Sequence, residues 1–286
     1  MDYSHQLDES LKLLHGLHDD ISKRNEIISF IKTNKRISIF AYGSLLWNPI
    51  EHINEMISNC ILTNHRKGFF CEDFVYRGTL DFKGLTMGLI KDTKSFVHGS
   101  LFVAMNEQII PFIKAFVKRE TPVHFNQTIM DIYTYDFVKI LLPDKKTTEY
   151  ALTCVINNQS LFYLKDQLSI EDQSLRIGQA YGVNGTNFQY LDKLIDVYRQ
   201  LNIRDTSTDI LENLYMKVLL YRQSLTLNVQ KWFQIYDQLQ TLEQRKEATR
   251  TLNTVEPIPI LQMFMYHSNY LEDVNNQTNQ QITVTE

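Results

Sequence analysis

Three cysteines in 286 residues, Cys60, Cys71 and Cys154, with no CxxC spacing among them, provide neither an even set for a disulfide framework nor the paired thiolates of a zinc site. They are expected to be reduced and structural. Clustered positive charge is missing too: 29 Lys and Arg against 33 Asp and Glu give a formal net charge of -4, with the cations scattered. A nucleic-acid partner needs a concentrated cationic face, so neither DNA nor RNA is expected. No uninterrupted apolar stretch has the length of a membrane span, and Asp2, Asp8 and Glu9 do not suit a signal peptide. No membrane association and a cytosol-like location are therefore predicted. The eight histidines are dispersed. Only His15 and His18 share a helical face, with Asp19 beside them, which falls short of the three or four ligands of a metal site, so no metal is expected.

What is present, 43% hydrophobic and 22% charged residues, suits a soluble chain with one sizeable core. Residues 1–36 carry an apolar stripe at helical spacing, Leu7, Leu11, Leu14, Leu17 and Ile21, continued by Ile27, Ile28 and Ile31. This reads as an N-terminal helical extension. From 37 to about 104 the texture becomes short strand-like runs at 37–41, 69–76, 85–90 and 99–104. A helix follows over about 107–120, with Asn106 as capping candidate and Ile109, Phe112, Ile113, Phe116 and Val117 on one side; Pro122 stops it near Thr121. Strands are predicted again over 132–142 and 149–156. Helices fill 169–222, interrupted at Gly182-Val183-Asn184-Gly185, after which Thr186 or Asn187 caps the next helix. Another helix is predicted over 224–252, and the polar tail from Asn275 reads as disordered.

The run Ile37-Ser38-Ile39-Phe40-Ala41-Tyr42-Gly43-Ser44-Leu45-Leu46-Trp47 is the most informative stretch, because a buried-strand pattern ends abruptly in a small-residue turn. There backbone N–H groups can converge on an anion. A plain tight turn after a core strand is the alternative. Ser44 lacks the Gly-x-Ser-x-Gly setting of a nucleophile and reads as a hydrogen-bonding loop residue. Glu120 lies three and four positions after Val117 and Phe116, at the end of the inward face of its helix. Burial there would raise its pKa toward the range of a general base; a helix-end pairing with a surface Lys or Arg is the competing reading. Arg77, in Val75-Tyr76-Arg77-Gly78-Thr79, could clamp a carboxylate in two-pronged fashion or be a strand-end surface cation.

Taken in order, these pieces resemble the ChaC-like γ-glutamylcyclotransferases that act on glutathione. Tyr42-Gly43-Ser44-Leu45-Leu46-Trp47 matches the family's Tyr-Gly-Ser-Leu loop, residues 75–79 its second motif and Arg119-Glu120 its Arg-Glu pair. Ile177 to Gly182, Gly185-Thr186-Asn187, Tyr190-Leu191 and Ile203-Arg204-Asp205 match its C-terminal motifs. Ala41 departs from a usual Gly, Leu80 and Asp81 from a Pro-containing turn, and Thr121 from Met or Lys. The resemblance implies an α+β fold, a small mixed β-barrel or sheet flanked by helices, with a catalytic domain over 37–222 and helical extensions over 1–36 and 223–286. It implies Glu120 as catalytic base, substrate contacts at Ala41, Tyr42, Gly43, Ser44, Leu45, Leu46 and Arg77, and no cofactor.

The implied reaction closes the γ-glutamyl arm of glutathione on its own α-amine, giving 5-oxoproline and Cys-Gly. A cyclotransferase for another γ-glutamyl amine or dipeptide would use the same residues. A third reading is an interaction protein whose extensions, with the N-terminal stripe and Trp232, Phe233 and Tyr236, bind a protein partner. The Asn, Ile and Lys richness and polar tail further suggest a secreted bacterial effector acting on glutathione in a host cytosol.

Overall fold

The computed structural model describes residues 3–79, 82–120, 131–225, 227–241 and 243–245. The Thr121 helix stop, Leu80 and Asp81, residues 246–252 of the predicted last helix and the polar tail lie outside the described residues. Strands β1 (Arg36–Ala41), β2 (Glu55–Asp73), β3 (Gly84–Met105), β4 (Tyr133–Leu141) and β5 (Thr148–Ile156) close into a barrel in the order β1-β3-β2-β4-β5. β1 is antiparallel to β3 and closes the barrel by pairing parallel with β5, Ser38 opposite Ala151. With ladders on both edges, Ile37 to Ala41 are all buried, which accounts for its unbroken apolar run.

The three short runs expected between 69 and 104 are instead parts of one long hairpin, β2 with β3. Its register shifts between Ile57 and Cys60, Thr63 and His65, and Phe69 and Cys71. Asn59 and Asn64 take positive φ at the first two of these bulges, a conformation asparagine tolerates. Each bulge resets the inside-outside alternation, and so hides a continuous strand from a period-two reading. The run predicted to reach Tyr76 stops at Asp73, whose carboxylate accepts the N–H groups of Val75 (3.0 Å) and Tyr76 (2.8 Å) and turns the chain.

Helix α3 (Ile109–Glu120) buries Ile109, Phe112, Ile113 and Phe116, the stripe expected of it. Its start differs from the prediction: Asn106 sits at φ 50 and its N–H reaches Lys35 O at 3.0 Å, so it turns the chain rather than capping the helix. Helices α1 (Tyr3–Lys12) and α2 (Ile21–Asn34) replace the single N-terminal stripe, because Gly16 at φ +83 breaks it. The buried Arg24 then ties the turn together, donating to Asp8 Oδ1 (2.7 Å), Leu17 O (2.7 Å) and His18 O. His15 and His18 therefore share no helical face; His15 pairs with Asp131 at 2.9 Å and His18 meets Lys12 O at 3.2 Å.

Beyond the barrel come α4 (Ile170–Gln179), the two-residue strands β6 (Tyr181–Gly182) and β7 (Gly185–Thr186), α5 (Asn187–Gln200), α6 (Thr208–Ser224) and α7 (Leu227–Gln238). Thr186 caps α5 by accepting from Gln189 N, as its sequence position suggested. The core joins α1 to α6 with the barrel interior, so Leu7, Leu11, Leu14 and Leu17 belong to it as fully as Phe40 or Leu101. Trp232, Phe233 and Tyr236 of α7 pack on Tyr181 in a second cluster. Among the described residues no helix is long and apolar enough to cross a membrane.

Candidate active site

Tyr42, leaving the end of β1, is fixed at both of its ends: its hydroxyl donates to Cys154 O (3.1 Å) and its carbonyl accepts from Tyr198 Oη (2.6 Å). The chain then turns through a 3₁₀ segment, Ser44–Leu46, in which Leu46 N bonds Gly43 O (3.0 Å) and Asn48 N bonds Ser44 O (3.1 Å). The leading N–H groups of such a turn have no acceptor inside it, and Gly43 offers no side-chain cap. Ser44 and Leu45 thus present backbone donors where the sequence placed a ligand cradle.

Glu120 ends α3 beside this turn. Its side chain retains 16% exposure, and Arg119 Nε meets Glu120 Oε1 at 3.1 Å. Arg119 Nη2 donates to Ser44 Oγ at 3.2 Å, so one guanidinium ties the helix end to the glycine turn. Burial raises the Glu120 pKa above its ordinary value, and the neighbouring Arg119 only partly offsets this. A solvated surface pairing, the competing reading of this residue, does not describe its position.

Glu120, Tyr42, Gly43, Ser44 and Leu45 line one small cavity together with Phe40, Met87, Tyr133, Cys154 and Tyr190. Sequence reasoning did not assign Phe40, Met87, Tyr133 and Cys154 to the site, since each comes from a different strand and only the assembled sheet brings all four together. Tyr190 stood in a quoted motif without a role. Its hydroxyl accepts Met87 N at 3.4 Å and its ring meets Trp47 edge-on at 5.3 Å. Asn187, one turn earlier on α5, holds Leu85 by both N–H and C=O at 2.7 Å, which pins β3 next to the cavity. Cys154 is a buried free thiol whose pKa burial pushes well up, so it lines the wall in its neutral form. Among the described residues no group of three or more His, Cys, Asp and Glu is placed to hold a metal ion. A separate hollow beside α5 and α6, lined by Arg199, Arg204 and Glu212 among others, contains no residue of the glycine turn and not Glu120.

The remaining candidates lie outside the cavity lining. Ala41 is fully buried in the β1 ladder opposite Ser100, and Leu46 packs into the core. Arg77 is no surface cation: it donates to Thr186 O (3.3 Å) and Gln189 Oε1 (3.1 Å), and lies 5.7 Å from the Tyr190 ring centroid. Gly78 beside it is obligatory, since a Cβ there would sit 1.9 Å from Asp73 O. These contacts make Arg77 a brace between the 74–79 turn and the start of α5. Arg77→Ala should therefore cost about 1–3 kcal/mol through the loss of these part-buried hydrogen bonds, seen as a lower Tm, and leave KM for substrate within about twofold. A KM rise with unchanged Tm would restore the carboxylate-clamp reading.

The closed barrel with flanking helices and a glutamate opposite a glycine turn is the γ-glutamylcyclotransferase-like fold. The ChaC-like protein family matches residues 37–221, and the chain belongs to that family. Among solved structures it is similar to the selenomethionine-labelled crystal structure of a yeast γ-glutamyl cyclotransferase specific to glutathione, with TM-score 0.56 and 17% identity over 66% of this chain and 97% of that one. A second crystal structure of a yeast glutathione-specific γ-glutamyl cyclotransferase gives 0.54 and 18% over 65% of this chain and 99% of that one. No curated protein matches the chain.

Proposed function

We propose that this chain is a γ-glutamylcyclotransferase that degrades glutathione to 5-oxoproline and Cys-Gly. One observation carries the reading: a largely buried carboxyl of raised pKa, Glu120, shares a cavity with Gly43, Ser44 and Leu45 at the leading end of the 3₁₀ turn. Family membership and the glutathione specificity of the yeast neighbours support glutathione as the substrate.

The α-amine of the γ-glutamyl arm attacks its own γ-carbonyl carbon. A C–N bond forms to close the five-membered ring, and the C–N bond to the cysteine nitrogen breaks. Glu120 takes two protons in turn from the α-nitrogen, one from the ammonium before attack and one from the ring nitrogen after it, and passes them to the departing nitrogen, which leaves as the ammonium of Cys-Gly, so atoms and charge balance without water or a cofactor. The nucleophile is already tethered, and the protein's task is to fold the arm into attack geometry. Backbone N–H groups at Ser44 and Leu45 stabilise the tetrahedral oxygen or hold the α-carboxylate, while Tyr42, Tyr133 and Tyr190 wall the cavity and exclude water.

Incubating purified protein with glutathione should yield equimolar 5-oxoproline and Cys-Gly. A panel containing γ-glutamylamines and other γ-glutamyl dipeptides should turn over at least about tenfold less well by kcat/KM. Preference for another member of the panel would keep the chemistry and replace the substrate; no turnover of any member would overturn the proposal. The family match and the neighbours give no support to a translocated effector.

A further inference from the structure

Between strand β2 and the α5–α6 connection lies a buried ion pair that the proposed reaction leaves unused. Lys67 Nζ of β2 meets Asp205 Oδ2 at 2.7 Å, and neither side chain has any exposure. Asp205 is further satisfied by His98 N (3.0 Å), Ser207 N (3.0 Å) and Ser207 Oγ (2.7 Å). Removing two charges from water costs several kcal/mol each, and a pair of this kind roughly breaks even against apolar residues of similar volume. Its presence calls for something other than stability. Lys67 Nζ also sits 3.9 Å from the centroid of the Tyr198 ring, and the Tyr198 hydroxyl makes the 2.6 Å bond to Tyr42 O. None of Lys67, Asp205 and Tyr198 lines the cavity that holds Glu120.

We infer that Lys67, Asp205 and Tyr198 form a positioning relay for the active-site turn. The pair fixes the Tyr198 ring, Tyr198 fixes the Tyr42 carbonyl, and the carbonyl sets the direction in which the following N–H groups point. Tyr42 O immediately precedes Gly43, where the backbone has most freedom to swing, so a single short hydrogen bond there governs the aim of Ser44 and Leu45. A donor displaced by even a fraction of an ångström loses much of its stabilisation of a developing oxyanion. Tyr198, Lys67 and Asp205 are positioning residues, since none touches the reacting atoms.

The turnover arm of the test rests on the proposed glutathione chemistry; the exchange arm does not. Tyr198→Phe keeps the ring over Lys67 and deletes only the hydroxyl. It should lower kcat with glutathione roughly tenfold or more, with KM within about threefold and Tm within about 4 °C of the parent. Hydrogen exchange should accelerate in a peptide covering 42–47 and stay unchanged in β2 and β3. The paired variant Lys67→Met with Asp205→Asn, which leaves no lone buried charge, should reproduce the kcat loss and add nothing to it in the Tyr198→Phe background. Unchanged exchange over 42–47 in Tyr198→Phe overturns the relay whatever the activity does. An additive kcat loss in the combined variant overturns the part assigned to the ion pair. If the parent protein has no activity on glutathione, the proposed function fails and the exchange result alone still decides the relay.

Discussion

Glu120→Gln is expected to lower kcat with glutathione at least about a hundredfold, the usual contribution of a general base. Gln keeps the shape of the side chain and an oxygen for Arg119 Nε, but it cannot take the ammonium proton. Substrate binding should persist, so calorimetric titration of glutathione into the variant should give a Kd near that of the parent. The pH dependence sharpens the assignment. Burial raises the Glu120 pKa, so the acid limb of kcat/KM should lie above the 4.5 of an ordinary glutamic acid, and activity should rise as pH passes through it. Stability should run the other way. A carboxyl whose folded pKa exceeds its unfolded value contributes stability below the unfolded value, and that contribution is lost as pH rises through the folded one. The Gln variant should therefore melt at or above the parent near pH 7–8, and the difference should close below about pH 4.5. Gain of stability with loss of turnover is the signature of a group held for chemistry. A variant that still makes 5-oxoproline at the parent rate would remove Glu120 from the mechanism.

The parts of this site that the sequence revealed are those encoded locally. The glycine turn follows its strand within a few residues, α3 announces itself by its apolar stripe, and Thr186 caps α5 next to a glycine break. The parts it concealed depend on contacts between distant segments. Met87, Tyr133 and Cys154 stand on three strands, and Met87 of β3 joins the β4–β5 hairpin only through the assembled barrel; nothing in their neighbourhoods distinguishes them from core residues. Lys67 looks like a surface cation until Asp205, from beyond α5, arrives to neutralise it. Arg77 is ambiguous for the same reason, its acceptors lying more than a hundred residues away. The β2–β3 hairpin reads as fragments in the sequence because its bulges reset the alternation on which strand reading relies. The N-terminal stripe is legible but its destination is not: helical periodicity identifies a face to be buried without saying against what.

Reducing the protein to the family-matched segment, residues 37–221, should abolish folding as well as activity. Leu7, Leu11, Leu14, Leu17, Ile27 and Ile31 are essentially unexposed, and α1 packs against α3, the helix that ends in Glu120. At about 1.5–3 kcal/mol for each fully buried side chain, removal of the six forfeits roughly 9–18 kcal/mol, an upper estimate. That is as large as the whole stability of a typical domain, about 5–15 kcal/mol. The truncation also removes Lys23, which pairs with Asp136 on β4, and Arg24, which holds the α1–α2 turn. At the other end it strips Trp232 and Tyr236 from Tyr181, and takes Asp237 from the hydroxyl of Thr186 at 2.6 Å, the residue that caps α5. Since α5 carries Asn187, Tyr190 and Tyr198, loosening its start loosens the cavity wall. The expected result for 37–221 is a species without a cooperative thermal transition that binds a hydrophobic dye and makes no 5-oxoproline. Restoring residues 3–36 alone should recover a cooperative melt at a lower Tm, because the larger core is then complete while the aromatic cluster over Tyr181 is still absent. A 37–221 fragment that melts cooperatively and retains turnover would instead make both extensions separable appendages, free to serve a protein partner.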